Sequence, residues 1–139
     1  MRRSRFVGVS ATSRAGLWLP PLALMAVIYV LSDQPNLSSG LGLIDLVGRK
    51  LVYAAEYGLL CWLWIRAFRP SVGHAAALGL ALLVTLGYAI GDEYHQTFVD
   101  GRSGSPLDVV IDALGAALAA AWAHRRAGIA SSAARRVRR

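Results

Sequence analysis

The chain has 139 residues, of which 55% are hydrophobic and 17% charged, and its formal net charge is +7. This length suits one domain. So apolar a composition excludes an ordinary soluble protein, because its surface would carry patches that promote aggregation. The positive charge raises the question of nucleic-acid binding. However, the basic residues have no interleaved aromatic residues and form no recognisable binding module, so we expect no nucleic-acid partner.

The apolar residues fall in four blocks of 16 to 18 residues each, at 16–32, 51–68, 75–90 and 107–123. A helix needs about 20 residues to cross the hydrocarbon core, and about 17 is the lower limit, so flanking residues must extend these blocks. We therefore predict an all-α, polytopic membrane protein with four transmembrane helices in a bundle. Its membrane domain would span 16–123, between basic tails at 1–15 and 124–139.

Charge is distributed unevenly between the two sides of this topology. Twelve of the fifteen basic residues lie in the two tails and in the link between the second and third helices. All eight acids lie in 33–56 or 92–112, the two remaining connections and the helix ends beside them. The positive-inside rule therefore predicts a cell-membrane protein with both termini in the cytoplasm and both acidic regions outside.

Proline and small residues predict details of the bundle. Pro20 and Pro21 fall early in the first block, where a missing hydrogen-bond donor costs least. We expect a loop over 33–48, and Pro70 should separate the second and third helices. Small residues on one face let membrane helices pack closely, so two such faces should lie inside the bundle. These are Ala75, Gly79, Gly87 and Gly91 in the third helix, and Gly115, Ala116, Ala119, Ala120 and Ala123 in the fourth.

The second helix carries a row of polar residues at its N-terminal end. Lys50, Tyr53 and Tyr57 share one face, since residues three and four apart are neighbours on a helix. Glu56 borders that face and lies within an apolar segment. Ionisable groups in a membrane helix are costly, and they usually persist either for a function or for pairing with one another. This row is therefore a candidate wall of a polar site.

The densest group of acids follows the third apolar block. If the third helix continues this far, Gln96 is a neighbour of both Asp92 and Glu93. Asp108 and Asp112 are four residues apart at the start of the fourth helix, so they lie on successive turns of one face. Three helices would thus bring carboxylates to the extracytoplasmic half of the bundle.

The connection between the third and fourth helices completes the predicted site. Gly101 indicates a tight turn beside Arg102. Pro106 suits the first turn of the fourth helix, with Ser105 as its cap. Arg102 and Lys50 are the candidate counter-charges for the acids.

Two motifs resemble those of the VanZ-like membrane family, over about residues 32–120. The longer one reads Asp92-Glu93-x-x-Gln96-x-Phe98-x-x-Gly101-Arg102, followed by Asp108, Asp112 and Gly115. The shorter one falls on Lys50, Tyr53, Glu56 and Tyr57. Tyr53 stands where family members usually have histidine, and Asp112 stands where many have asparagine. If that histidine transfers protons in relatives, the phenol of Tyr53 or another residue such as His95 would have to do so in this chain. The founding member is linked to resistance to the glycopeptide teicoplanin, and the resemblance implies a site more than a reaction.

One interpretation of the polar set is an enzyme or binding site for an envelope component. Carboxylates can act as acid and base, and basic side chains can hold a phosphate or a carboxylate. The candidate catalytic residues are Glu93 and Asp108 as the acid–base pair, with Asp92, Gln96 as an orienting group and Arg102 as an anion clamp. The candidate binding residues are Lys50, Tyr53, Glu56, Tyr57, Asp112 and Gly101. The partners would be the lipid bilayer and an anionic envelope precursor or lipid head group.

The alternative interpretation is a membrane scaffold or partner-docking protein whose polar groups pair with one another and fix the bundle. Transport is a third one, although no broken-helix pair or inverted repeat is present. No His-x-x-x-His motif and no cysteine pair occurs, so we expect no metal and no cofactor. The sequence leaves open whether the protein catalyses a reaction and which oligomeric state it adopts.

Overall fold

The computed structural model describes residues 11–35, 42–102 and 104–137, and these form four α-helices and no strand. The helices are α1 (Ala11–Ser32), α2 (Leu43–Val72), α3 (His74–Gln96) and α4 (Pro106–Val137). Helix α2 is central, because it packs against each of the other three, most extensively against α4. The predicted all-α class is confirmed.

Three of the four helices are long and apolar enough to cross a membrane. Their spans are Leu46–Val72, His74–Gln96 and Pro106–Ala133, whereas the apolar part of α1, Gly16–Ser32, is shorter. Large apolar side chains such as Leu83 point outward from the bundle, as lipid contact would require. The length and composition of these helices indicate a membrane protein.

The break between α2 and α3 lies at Gly73, and the prediction that Pro70 separates these helices is wrong. Pro70 is inside α2, which continues as far as Val72. The backbone of Gly73 has φ 80°, a left-handed conformation that glycine adopts without steric cost, and its N–H donates to the Arg69 carbonyl at 3.1 Å. A missing donor weakens one turn of a helix, but a left-handed residue ends it.

The helices are longer than their apolar blocks. Because α1 begins at Ala11, Pro20 and Pro21 lie in its interior rather than in its first turn. Likewise α2 begins at Leu43, inside the predicted loop, and α4 extends to Val137 through the basic tail. Residues 1–10 of the predicted N-terminal tail and 36–41 of the predicted loop lie outside the described residues.

Helices α2 and α4 approach closely at two glycines, which brings their backbones together below the polar end. A Cβ atom on Gly115 would overlap the backbone of Ala54, and one on Gly58 would lie 3.0 Å from the carbonyl oxygen of Gly115. Ala116 and Ala120 are buried beside this contact. The predicted packing of the small-residue face of α4 is therefore confirmed.

The small-residue face of α3 does not pack within the chain, contrary to the prediction. Gly79, Gly87 and Gly91 are exposed, and a Cβ atom on any of them would meet nothing within 4 Å. The buried face of α3 instead carries Ala77, Ala81, Thr85 and Ala89, and then the polar residues of its last turns. Alanine fills the space between α3 and its neighbours, whereas the glycines leave the outer face smooth.

Candidate functional site

Polar side chains gather at one end of the bundle, where α1 and α3 end and α2 and α4 begin. Their arrangement follows from the direction of the chain. The last turns of α3 carry Asp92, Glu93 and Gln96, while the first turns of α4 carry Asp108 and Asp112. Since antiparallel neighbours bring the end of one helix beside the start of the next, these residues converge. The site lies at the edge of the candidate membrane spans.

A small, partly open cavity of about 30 Å³ lies between α2, α3 and α4, and we call it the acidic pocket. Three carboxylates and one lysine line it. The lining residues are Lys50, Tyr53, Glu93, Gln96, Asp108, Ile111 and Asp112. Six of these seven are residues that the sequence predicts for the site. The acidic pocket therefore unites side chains of all three predicted helices.

Lys50 of α2 pairs with Asp108 of α4 across this pocket, and the side chains of both are partly exposed. Asp108 also lies in the first turn of α4, and its N–H donates to the Ser105 carbonyl at 2.9 Å. A carboxylate at this position is stabilised by the helix dipole as well as by the lysine. The Asp108 carboxylate thus has two favourable electrostatic contacts, with the lysine and with the start of α4.

Asp92 is buried and contributes to the wall behind the pocket rather than to its lining. Its Oδ2 accepts hydrogen bonds from the Ser32 hydroxyl at 2.8 Å and from Gln96 Nε2 at 3.2 Å. The predicted contact of Gln96 with Asp92 is confirmed by this bond. Ser32 is the last residue of α1, so Asp92 fastens the end of α1 to α3.

Glu93 joins the end of α3 to the connection that follows it. Its Oε1 accepts a hydrogen bond from the backbone N–H of Ser105, just before α4. Gly104 is needed beside it, because a Cβ atom there would lie 2.9 Å from the Glu93 carbonyl oxygen. The carboxylate of Glu93 is therefore fixed in the acidic pocket by the loop that leads into α4.

Asp112 is the deepest acid of the pocket. It is 5% exposed, and its Oδ1 has no hydrogen-bond partner among the described residues. Two residues of α2 lie nearby: Tyr57, which is fully buried, and Glu56, which is partly exposed. Both interact electrostatically with Asp112, but neither lines the pocket. Asp112 thus presents an unpaired oxygen in an apolar part of the bundle.

A wider, more open cavity of about 210 Å³ lies above the acidic pocket, and we call it the vestibule. It shares four residues with the pocket, so the two cavities adjoin. Its lining residues are Leu46, Arg49, Lys50, Tyr53, Gln96, Gly101, Arg102 and Asp108. Three of these side chains are cationic and one is a carboxylate. The electrostatic character of the site thus changes from basic at the vestibule to acidic in the pocket.

Arg102 is held in the vestibule by neutral groups. Its Nη1 donates to the Tyr53 hydroxyl at 3.1 Å, and its Nη2 donates to the Leu31 carbonyl at 3.3 Å. Gly101 has φ 77° and forms the turn that directs Arg102 inward, as predicted. Among the described residues no carboxylate forms an ion pair with Arg102. Its positive charge is therefore oriented but not neutralised.

Other polar residues at this end of the bundle support the site from outside. His95 Nε2 lies 3.0 Å from Asp33 Oδ1, and the ring of His95 stacks on Tyr29 with a centroid separation of 4.8 Å. His95 lines neither the acidic pocket nor the vestibule. Within the described part of the chain no group of three or more potential ligands could hold a metal ion.

Sequence reasoning missed Ser32 and Arg49 as members of this site. Ser32 is 60 residues from Asp92, and no local pattern predicts that contact. Arg49 directly precedes Lys50 in α2, and it lines the vestibule. Its adjacency to Lys50 at the start of a helix was the available signal.

Comparison with known proteins identifies the family. The family model described as VanZ/LLP1 matches residues 5–126. This range covers most of the chain, so the protein belongs to the VanZ/LLP1 family, and the resemblance inferred from the two motifs is confirmed. A search of curated proteins found no match, and a search of solved structures found none either.

Proposed function

We propose that this VanZ/LLP1 protein is a multi-pass protein of the cell membrane that binds an anionic group of an envelope component. Binding would take place in the vestibule, on the extracytoplasmic side. Through it the protein would contribute to glycopeptide resistance of the teicoplanin type, the phenotype linked to its family. The observation that carries this proposal is the Arg102 guanidinium, which is fixed by Tyr53 and by the Leu31 carbonyl without an anionic partner.

The guanidinium suits an anion because its planar fork can donate two parallel hydrogen bonds to a phosphate or carboxylate. Lys50 and Arg49 line the same cavity. An arginine that is already oriented loses less side-chain entropy when a ligand binds. These properties distinguish Arg102 from a basic residue that merely touches lipid head groups.

The side of the membrane follows from charge. The basic positions at the start of α1, at the end of α2 and in the second half of α4 lie at the end of the bundle opposite the vestibule. By the positive-inside rule that end is cytoplasmic, so both termini are cytoplasmic and the vestibule faces outward. Labelling an introduced cysteine at Asp100 with a membrane-impermeant maleimide in a Cys61→Ser background tests this orientation. Labelling of intact cells supports it, and labelling only after lysis contradicts it.

The acidic pocket could give the site an acid–base function in addition to binding. Glu93 is held by the Ser105 N–H and Asp108 by Lys50, and both line the cavity that opens to the vestibule. Two carboxylates in different environments can divide the roles of acid and base between them. A group bound at Arg102 would lie next to this pair.

A second candidate function is that of a non-catalytic scaffold. The observation in its favour is the number of bonds between helices at this end, such as those from Ser32 to Asp92 and from Lys50 to Asp108. Buried polar groups can fix the register of helices in this way. Under this function the carboxylates contribute to folding and bind nothing.

One pair of conservative variants separates the two functions. Glu93→Gln keeps an oxygen for the Ser105 N–H, and Asp108→Asn removes the charge that pairs with Lys50. Asp100→Asn is the matched control, since Asp100 is exposed and lines neither cavity. Each variant is scored for abundance in the membrane and for glycopeptide susceptibility of the cells.

A binding or catalytic site predicts normal abundance with increased susceptibility for the two site variants and no change for the control. A scaffold predicts reduced abundance of the site variants. Normal abundance and unchanged susceptibility in all three would contradict a role of these carboxylates in glycopeptide resistance.

A further inference from the structure

The vestibule and the acidic pocket have opposite charge, and this difference restricts what the site can bind. The vestibule is lined by three cationic side chains and one carboxylate, whereas the pocket has three carboxylates and one lysine. Because Lys50 and Asp108 belong to both cavities and pair with each other, the charges without an ion pair among the described residues are that of Arg102 above, and those of Glu93 and Asp112 below. An anion alone would complement only the upper cavity.

Asp112 shows that the lower cavity is built to receive a hydrogen-bond donor. It is 5% exposed and lines the pocket, and its Oδ1 has no partner among the described residues. Leaving a buried carboxylate oxygen without a donor is costly, so such an atom calls for a partner. Glu93, on the facing helix, also forms no ion pair within the described part of the chain. A cation with N–H groups would satisfy both side chains.

The depth of the site agrees with a lipid head group. Lys50 lies near the start of one candidate span and Gln96 ends another. Asp112 comes six residues after Pro106, which corresponds to about 9 Å along the helix axis. The pocket therefore reaches from the level of the head groups into the outer part of the hydrocarbon region.

A third cavity supplies a place for an apolar chain. It is an open groove between α3 and α4 on the outer surface of the bundle, lined by residues that include Ile90, Tyr94, Pro106 and Val109, with very little polar surface. Glu93 lines both this groove and the acidic pocket, so the two adjoin at one side chain. An amphipathic molecule would meet polar and apolar surfaces that complement its two parts.

We propose that the site binds a lipid whose head group joins a phosphate to a primary amine. The phosphate is held by Arg102 in the vestibule, the ammonium enters the acidic pocket and donates to Asp112 and Glu93, and an acyl chain lies in the groove. This inference rests on the proposed function, which supplies the anion at the vestibule. It adds the cationic part of the ligand and the apolar part, and so defines an aminophospholipid of the phosphatidylethanolamine class.

The test measures lipid binding to the purified full-length protein by native mass spectrometry. The probes are phosphatidylethanolamine and phosphatidylglycerol with identical acyl chains, and soluble phosphoethanolamine. We expect the protein to bind phosphatidylethanolamine about tenfold more tightly than phosphatidylglycerol, as one charge-assisted interaction allows. Soluble phosphoethanolamine should bind more weakly than the lipid, because it lacks the chain.

Two variants test whether the preference for phosphatidylethanolamine comes from the acidic pocket. Asp112→Asn should abolish the discrimination between the two lipids by weakening the binding of phosphatidylethanolamine about tenfold. Asp100→Asn, an exposed acid outside the cavities, should keep it. Circular dichroism of both variants establishes that the helices are retained. Equal affinity for the two lipids in the unmodified protein, or discrimination that survives Asp112→Asn, would overturn the inference.

An experiment on Arg102 distinguishes an error in the proposed function from an error in the further inference. If Arg102→Gln binds both lipids as tightly as the unmodified protein, the vestibule does not hold the phosphate, and the proposed function is wrong. If Arg102→Gln weakens both lipids equally but no preference for the amine exists, the anion site stands and only the further inference falls. If soluble phosphoethanolamine binds as tightly as the lipid, the groove holds no chain and the assignment to a lipid is overturned.

Discussion

The close contact between α2 and α4 predicts a strong effect from one methyl group. A Cβ atom on Gly115 would overlap the backbone of Ala54, which cannot rotate away as a flexible side chain could. Overpacking of this kind costs about 1–3 kcal/mol, and a rigid backbone obstacle places Gly115→Ala at the upper end. Replacing glycine by alanine within a helix also stabilises the helix by about 0.8–1.0 kcal/mol, because alanine has the higher helix propensity. The net expectation is a loss of about 2 kcal/mol in the free energy of unfolding.

The measurement is equilibrium unfolding of the purified protein in detergent, followed by circular dichroism as the proportion of denaturing detergent rises. Gly87→Ala is the matched control, because Gly87 is helical and exposed and its Cβ would meet nothing within 4 Å. This control should be as stable as the unmodified protein or slightly more so. If Gly115→Ala unfolds together with Gly87→Ala, the helices are not in contact at Ala54, and the position of Asp112 one turn away is wrong as well.

Three further substitutions probe the helix ends and the polar site. In the same unfolding assay Ser32→Ala should lower the free energy of unfolding by about 1–3 kcal/mol, because Asp92 loses a buried donor; an unchanged value would contradict the bond that fastens α1. Gly73→Ala should cost about 1–2 kcal/mol, since its left-handed φ is unfavourable for alanine, and a neutral effect would refute the break assigned there. Asp112→Asn should leave stability unchanged or raise it, because it removes an unpaired buried charge, and a loss above about 2 kcal/mol would instead make Asp112 structural.

The existence of the helices could be predicted from composition, because apolar blocks of this length have few alternatives to membrane-crossing helices. The residues at which the helices begin and end could not be predicted in this way. In the sequence, Pro70 indicates the end of a helix more strongly than Gly73 does. However, proline removes only one backbone hydrogen-bond donor, whereas the left-handed backbone of Gly73 ends the helix. The basic residues after the fourth block remain helical as far as Val137, because arginine and alanine are good helix formers whatever their polarity.

The polar site could be predicted in part from spacing within each helix. Helical periodicity placed Gln96 beside Asp92, and Lys50 and Tyr53 on one face of α2. It could not indicate which carboxylate Lys50 would meet, because the pairing with Asp108 depends on how α2 and α4 pack. Small residues were equally ambiguous: the same spacing marks a contact in α4 and an outward face in α3, and only the neighbouring helices distinguish the two.

We propose that the positive charge of Arg102 serves a ligand rather than the fold. The most direct test of this proposal compares Arg102→Gln with Arg69→Gln, an exposed arginine at the opposite end of the bundle, for membrane abundance and for glycopeptide susceptibility. Both variants should accumulate normally, and only Arg102→Gln cells should become more susceptible. Equal susceptibility of the two strains at equal abundance, or loss of the Arg102→Gln protein from the membrane, would contradict it.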